Sequence, residues 1–365
     1  MIKKLTIFIL LTLFSINNLN ASDDIKKLIG NMFMVGFFGT HIDENSQIVK
    51  DIKEYHLGGV ILFNKNPTNS KKAKNIKYRN QLKSLTFALQ KESDYKLLIA
   101  VDQEGGRVQR LSPKNGFSQK YKSASSMVKK SDRYIKNEYS KMAKELKSVG
   151  INFNLAPVVD LAINPKNRVI VKLGRSFGKM PEDVVKYSTI FIKEMANKNI
   201  LTSLKHFPGH GSSLGDTHKG FVDITKTWQD RELEPYQELI DSNMVDSIMV
   251  AHVINGVIDK KYPSSLSKKT ITNLLRGQFL FNGVVISDDL QMRAISKHYS
   301  LKDTIKLSIN AGVDILLFGN QLDPTKIVSV KTLVDTVYEL YQSNEITLKQ
   351  IKMANQRIDK LKNRL

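Results

Sequence analysis

Leu97-Leu98-Ile99-Ala100-Val101-Asp102-Gln103-Glu104-Gly105-Gly106-Arg107 sets an uninterrupted apolar run directly before a cluster of charged and glycine residues. A strand buried on both faces requires the first part, and the second belongs where that strand leaves the core. The same pattern, apolar and often β-branched, recurs at 31–38, 59–63, 151–159, 201–206, 247–252, 283–288 and 313–318, which with 97–102 makes eight predicted strands. Amphipathic or charged stretches of helical length separate them, among them 133–149, 181–198, 228–243 and 268–280. Regular strand–helix alternation gives a parallel sheet covered by helices, and eight repeats predict an α/β fold, a single-domain (β/α)8 TIM barrel over residues 22–365. The residues after the eighth strand suffice for a closing helix over 325–341 and a basic terminal helix ending at Leu365, but not for a second catalytic domain.

The remaining composition narrows the class of protein. Hydrophobic residues make up 41% of the 365, enough for a large core, and there is no cysteine, which excludes disulfides, cysteine lipidation and thiolate chemistry. Met1-Ile2-Lys3-Lys4, a mostly apolar run over 5–16 and Ala21-Ser22 read as a signal peptide covering residues 1–21. The mature chain is then expected to start at Ser22, in the periplasm or outside the cell, as a monomer with no stable membrane span. A formal charge of +21 favours anionic surroundings such as nucleic acid, acidic lipid or cell-wall polymer. The densest basic run, Lys71 to Lys83, carries Ala73, Ile76 and Leu82 and continues to Leu85 and Leu89, so it reads as a barrel helix with a solvated basic face. No nucleic-acid partner is expected.

In such barrels chemistry sits where the strands end and the following loops begin. Here the exits carry Asp102 to Arg107, Asp160, Lys205-His206, His252 and Asp288-Asp289, residues that an apolar barrel core does not call for. The fifth exit runs on as Lys205-His206-Phe207-Pro208-Gly209-His210-Gly211-Ser212-Ser213-Leu214-Gly215-Asp216-Thr217-His218. Alternate residues of an extended segment point the same way, so Asp216 can hold the imidazole of His218 in one tautomer, as a proton-transferring histidine requires. Glycines at 209, 211, 215 and 220 suggest that the segment swings over a substrate. His206 and His210 have the spacing of a helical zinc pair, but Pro208 and Gly209 between them make a helix costly, and no metal is expected.

These groups suit cleavage of a glycosidic bond with retention, which needs a nucleophile below the anomeric carbon and a proton donor beside the leaving oxygen. Asp288 or Asp289 can supply the first and the Asp216–His218 pair the second; Asp102, Arg110, Arg175, Lys205 and His206 supply a polar ring for sugar hydroxyls and an N-acetyl carbonyl. Taken together, Ala100 to Arg110, Gly174-Arg175-Ser176-Phe177, Lys205 to Gly211 with Asp216-Thr217-His218, and Ser287-Asp288-Asp289-Leu290-Gln291-Met292 resemble the bacterial β-N-acetylglucosaminidases of glycoside hydrolase family 3, the single-domain kind used in peptidoglycan turnover. The resemblance implies Asp288 as nucleophile, His218 as acid/base with Asp216 as its partner, and sugar contacts from Asp102, Arg110, Arg175, Lys205 and His206. It further implies release of terminal β-linked N-acetylglucosamine from muropeptide fragments, with no metal or organic cofactor. Well-known proteobacterial relatives lack a signal peptide, so the leader here is a departure that points to wall fragments outside the cytoplasm. A family relative acting on another sugar or using phosphate as acceptor shares nearly every residue named, and a catalytically dead wall-binding barrel is the alternative from another class.

Overall fold

The computed structural model describes residues 22–69 and 71–365. The predicted leader, 1–21, lies outside the described residues. Eight parallel strands form the central sheet: β1 (Phe33–Val35), β2 (Gly59–Ile61), β3 (Leu98–Val101), β4 (Phe153–Asn154), β5 (Leu201–Phe207), β6 (Ser247–Val250), β7 (Val284–Ser287) and β8 (Leu316–Phe318). They are paired in chain order and β8 returns to β1, with Phe33 opposite Leu316. A parallel bridge between Ile286 and Ile315, with the Ser287 N–H donating to the Ile315 carbonyl at 3.0 Å, joins β7 to β8 and closes the barrel. The eight predicted strands and the fold class therefore match the structure, although most strands are shorter than their apolar runs.

The helices form for local reasons. Asp132–Ser148 begins at Ser131, whose side chain accepts from the Tyr134 N–H; Pro181–Ala196 begins with a proline in its first turn followed by Glu182 and Asp183. Their apolar faces pack on each other through Tyr139 and Phe191, 4.8 Å between ring centroids and close to edge-on. Between β6 and β7 the expected helix is a π-helix, Lys269–Gln278. The closing helix runs Val330–Gln342, later than expected, because 325–329 is taken up by a turn fixed by Asp323 and by Ser329, whose side chain caps the helix.

One expectation fails. Residues 71–78 are not helical; the helix is Arg79–Lys91. Lys74 and Asn75 are buried, and Asn75 accepts from the Phe63 N–H at 3.1 Å while donating to the Phe37 and Gly39 carbonyls. Lys74 crosses under the ends of β1 and β8 and donates to the carbonyls of Gly319 and Asn320 at 2.9 and 2.6 Å. The segment is thus a strap laid across strand exits, and part of the basic run is inside the protein. Burial pushes the Lys74 ammonium down to about 7.

Candidate active site

The exit of β3 is built as a tight hairpin, Gln103–Gly105 against Val108–Gln109. Gly105 and Gly106 turn it with φ of +100° and +61°, and a Cβ on Gly106 would lie 2.7 Å from that of Ser123. Gln103, fully buried, accepts from the N–H groups of Arg110 and Leu111, so the hairpin returns Arg110 beside Asp102, Nη2 to Oδ2 3.1 Å. From β5, Lys205 reaches both carboxylates of this exit, 2.9 Å to Asp102 and 2.8 Å to Glu104. Arg175, from the loop after β4, grips Glu104 through two parallel bonds of 2.8 Å. Three cations thus surround two carboxylates. Burial alone would raise both acids, but Lys205 and Arg110 hold Asp102 well below its usual range, and Arg175 and Lys205 do the same for Glu104.

His206 follows in β5. Its Nδ1 lies 2.7 Å from Asp160, which also accepts from the backbone N–H groups of His206 and His210. Asp160 has no exposed surface and is held below its usual pKa, against the effect of burial, chiefly by His206. It therefore accepts, Nδ1–H donates, and Nε2 turns toward Arg175 at 3.5 Å. His210 is buried, pushed down to about 4 by burial and by His206, and its Nδ1 is taken up by Ser213 at 2.7 Å. The pair does not lie on a helix. No cluster of metal-ligating side chains occurs among the described residues.

The two aspartates after β7 have different surroundings. The Asp289 carboxylate accepts from the N–H groups of Gln291 and Gly319 and, half-buried and desolvated by its surroundings, is pushed up to about 6. It braces the exits of β7 and β8. Asp288 is lowered instead: burial opposes its charge, but the imidazoles of His252, His206 and His218 and the Asp289 N–H, 2.8 Å away, outweigh it. His252, fully buried, donates from Nε2 to the Asp289 carbonyl and bonds Ser265 through Nδ1, so both ring nitrogens are used in fixing this turn.

The Asp216–His218 pair sits on the loop between β5 and β6. Nδ1 of His218 is 2.8 Å from Asp216 Oδ1, which also accepts the His218 N–H at 3.0 Å. This side chain is 57% exposed, the opposite of the buried rim. The glycines do not all loosen the loop as expected. A Cβ on Gly211 would fall 1.7 Å from the Leu161 carbonyl oxygen, and one on Gly209 would meet Glu232 at 2.7 Å, so these two permit close packing at the base. Asn167 ties the same base down by donating to the His210 carbonyl and to Ser213. Only Gly220 has open space around it. The far end is held by the Ala294 N–H on the Thr217 carbonyl and by Phe221 stacked on His298 at 3.6 Å.

All eight residues singled out from sequence, Asp102, Arg110, Arg175, Lys205, His206, Asp216, His218 and Asp288, border one cavity of about 480 Å³ at the exit end of the barrel. Sequence reasoning did not assign Glu104 its role as the hub between Lys205 and Arg175, although it lies two residues beyond Asp102. It also missed the apolar walls, Phe63, Met249 and Leu322, which carry no motif. A ring of fixed charges, an ionised, half-buried aspartate and an exposed Asp–His pair around one cavity can bind a polyhydroxylated ring and act on it from two sides.

Residues 24–361 match the family of the glycosyl hydrolase family 3 N terminal domain. A β-hexosaminidase A of Pseudoalteromonas piscicida is 33% identical over 86% of this chain, which spans only 54% of that relative's length. A β-hexosaminidase of Tolumonas auensis is 34% identical over 72% of this chain and 76% of its own. Among solved structures, a family 3 β-N-acetylglucosaminidase from a Paenibacillus species superposes with a TM-score of 0.82 at 31% identity, covering 93% of this chain and 62% of that one.

Proposed function

Since this chain belongs to glycosyl hydrolase family 3 and to its β-hexosaminidase relatives, we propose that it releases terminal β-linked N-acetylglucosamine from peptidoglycan fragments with retention of configuration. The observation that carries this reading is the convergence of the half-buried Asp288, held in its ionised form, and the Asp216–His218 pair on one cavity. Asp288 attacks the anomeric carbon while protonated His218 gives its proton to the departing glycosidic oxygen, so one C–O bond forms as the other breaks. Neutral His218 then takes a proton from water, whose oxygen displaces the Asp288 carboxylate and restores both groups. Asp216 orients the imidazole through Nδ1, leaving Nε2 for the transfer.

In this reading Asp102, Arg110, Lys205, Arg175 and His206 hold the sugar. Their mutual bonds fix them before substrate arrives, which keeps the ordering cost of binding small. The strong positive charge, nearly all of it beyond residue 21, and the leader read in 1–21 support work on anionic wall fragments outside the cytoplasm. The test is incubation with a slow, activated N-acetylglucosaminyl substrate, followed by peptide mass analysis. The expected result is a covalent sugar on the peptide holding Asp288. Turnover with inverted product configuration would contradict it, and N-terminal sequencing of native protein tests the leader, with Ser22 expected first.

A further inference from the structure

Lys74 is a buried cation that the chemistry above leaves without a task, with only 1% of its surface exposed. It is in no ion pair among the described residues, in contrast to Lys205, which two carboxylates hold. An ammonium enclosed without a carboxylate is costly, so filling space does not by itself account for a lysine there. What surrounds it is two aromatic rings and two carbonyls. Nζ lies 4.6 Å from the centre of the Phe38 ring and 4.8 Å from that of Phe63, and it donates to the carbonyls of Gly319 and Asn320.

The chain turns sharply where Lys74 grips it. Asn320 has φ of +45°, a left-handed conformation uncommon outside glycine. Such a residue persists where its neighbours over-determine it, and strain of this kind collects at active sites. Lys74 takes the Asn320 carbonyl, Gln291 accepts its N–H at 2.6 Å, and its side-chain amide donates to the Gly36 carbonyl.

From this turn two short paths lead to the sugar pocket. On the first, the Gly319 N–H donates to Asp289 at 3.2 Å and the Asp289 N–H donates to Asp288 at 2.8 Å. A Cβ on Gly319 would fall 2.5 Å from the Asp289 carboxylate, so there is no slack between the gripped peptide and the neighbour of Asp288. On the second, Phe63 is a wall of the pocket, and its ring also lies 5.7 Å from the guanidinium of Arg110, which bonds Asp102. Lys74 thus stands where the support of Asp288 meets the wall of the sugar site.

We propose that Lys74 is a positioning residue of the glycosidase: by fixing the Gly319–Asn320 turn against Phe63, it sets the distance from Asp288 to the sugar. The proposal rests on Asp288 as the nucleophile, and it extends the working site to the strap 71–78, which does not border the cavity.

The test is kcat and KM on 4-nitrophenyl N-acetylglucosaminide for wild type, Lys74→Met, Lys74→Arg, Asp289→Ala and the double variant Lys74→Met with Asp289→Ala. Rates are taken per folded molecule, from the thermal transition of each variant. A misplacement of about 1 Å made away from the chemistry costs up to about 10²-fold, so Lys74→Met should lower kcat by about 10- to 100-fold. KM should move much less, because the ammonium touches no sugar. Lys74→Arg keeps a charge with paired donors and should recover part of the loss. Once Asp289→Ala has cut the first path, adding Lys74→Met should cost less than about threefold, since residues that act through one another are not additive. Losses that multiply in the double variant, a Lys74→Met rate equal to wild type, or disappearance of the folding transition in both Lys74 variants each overturn the proposal and leave the glycosidase reading standing. Near-normal turnover in Asp288→Asn removes the nucleophile, and the proposal with it.

Discussion

The sugar pocket is made of two regions built on opposite principles. On one side Asp102, Glu104, Arg110, Arg175 and Lys205 form a closed lattice of ion pairs, the Lys205 side chain only 3% exposed, which ties the exit of β3 to β5 and to the loop after β4. On the other, Asp216 and His218 lie two residues apart on one loop, with the imidazole mostly in solvent. The lattice is preorganised and can select a substrate but has no spare proton to move. The loop pair can exchange a proton with water and does little to hold the fold. In the proposed mechanism binding and proton transfer thus fall on parts of the molecule with different burial, in keeping with low-stability elements carrying the moving step.

Between the two regions lies Asp288, half-buried and held below its usual pKa, the nucleophile of the proposed mechanism. With Asp288 as the proposed nucleophile, Asp288→Asn should lower kcat by about 10⁴-fold or more with little change in melting temperature, the scale on which loss of a covalently acting group is felt. Asp289→Asn, which alters only a brace, should cost much less activity and more stability. The reverse order would dissolve the distinction drawn between the two aspartates.

The lattice should fail as a structure. Glu104→Gln leaves Arg175 and Lys205 without their shared carboxylate, and breaking a buried pair in this way costs about 3–5 kcal/mol. Chemical denaturation should show that loss, while His218→Ala, at an exposed site, should unfold within about 0.5 kcal/mol of wild type. Equal destabilisation by both would mean that the loop is part of the structural frame.

A smaller effect marks where the loop joins the frame. Glu232, buried against Gly209 and Ser212 at the loop base, is pushed up to about 7 by burial. A carboxyl whose pKa is raised on folding favours the folded state most below its unfolded pKa, and that contribution is lost as pH rises toward 7. Glu232→Gln should therefore gain melting temperature relative to wild type between pH 5 and pH 8, at about 2–4 °C for each kcal/mol that wild type loses, or less, on the scale for larger chains. A difference that does not change with pH would show that Glu232 stays ionised throughout.

The same contrast governs what could be read from sequence. The rim was legible because a charged residue at or straight after the end of a buried strand has few reasons to be there: Asp102 and Asp288 directly follow β3 and β7, and Lys205 and His206 are among the last residues of β5. Asp216 and His218 were legible because both members lie in one short segment. Lys74 was not, since its partners are carbonyls at 319 and 320 and nothing near it in the chain announces them. The roles of Gly209 and Gly211 were misread for a similar reason: sequence shows a missing side chain, but only the neighbours Glu232 and Leu161 show whether that gives freedom or close contact. The choice between Asp288 and Asp289 likewise rested on resemblance until the bonds of Asp289 to Gln291 and Gly319 distinguished their surroundings.

The central claim is that the exposed pair moves the proton and the buried lattice does not. It is tested most directly by kcat/KM for aryl N-acetylglucosaminides of graded leaving-group pKa, measured for wild type, His218→Ala and Asp216→Asn. General acid catalysis is worth roughly 10²–10⁴-fold, so His218→Ala should lose that much on the poorest leaving groups and far less on the best. Asp216→Asn should follow the same trend at smaller amplitude. A steeper leaving-group dependence in His218→Ala is the predicted result; the same loss across the whole series would contradict proton donation by His218.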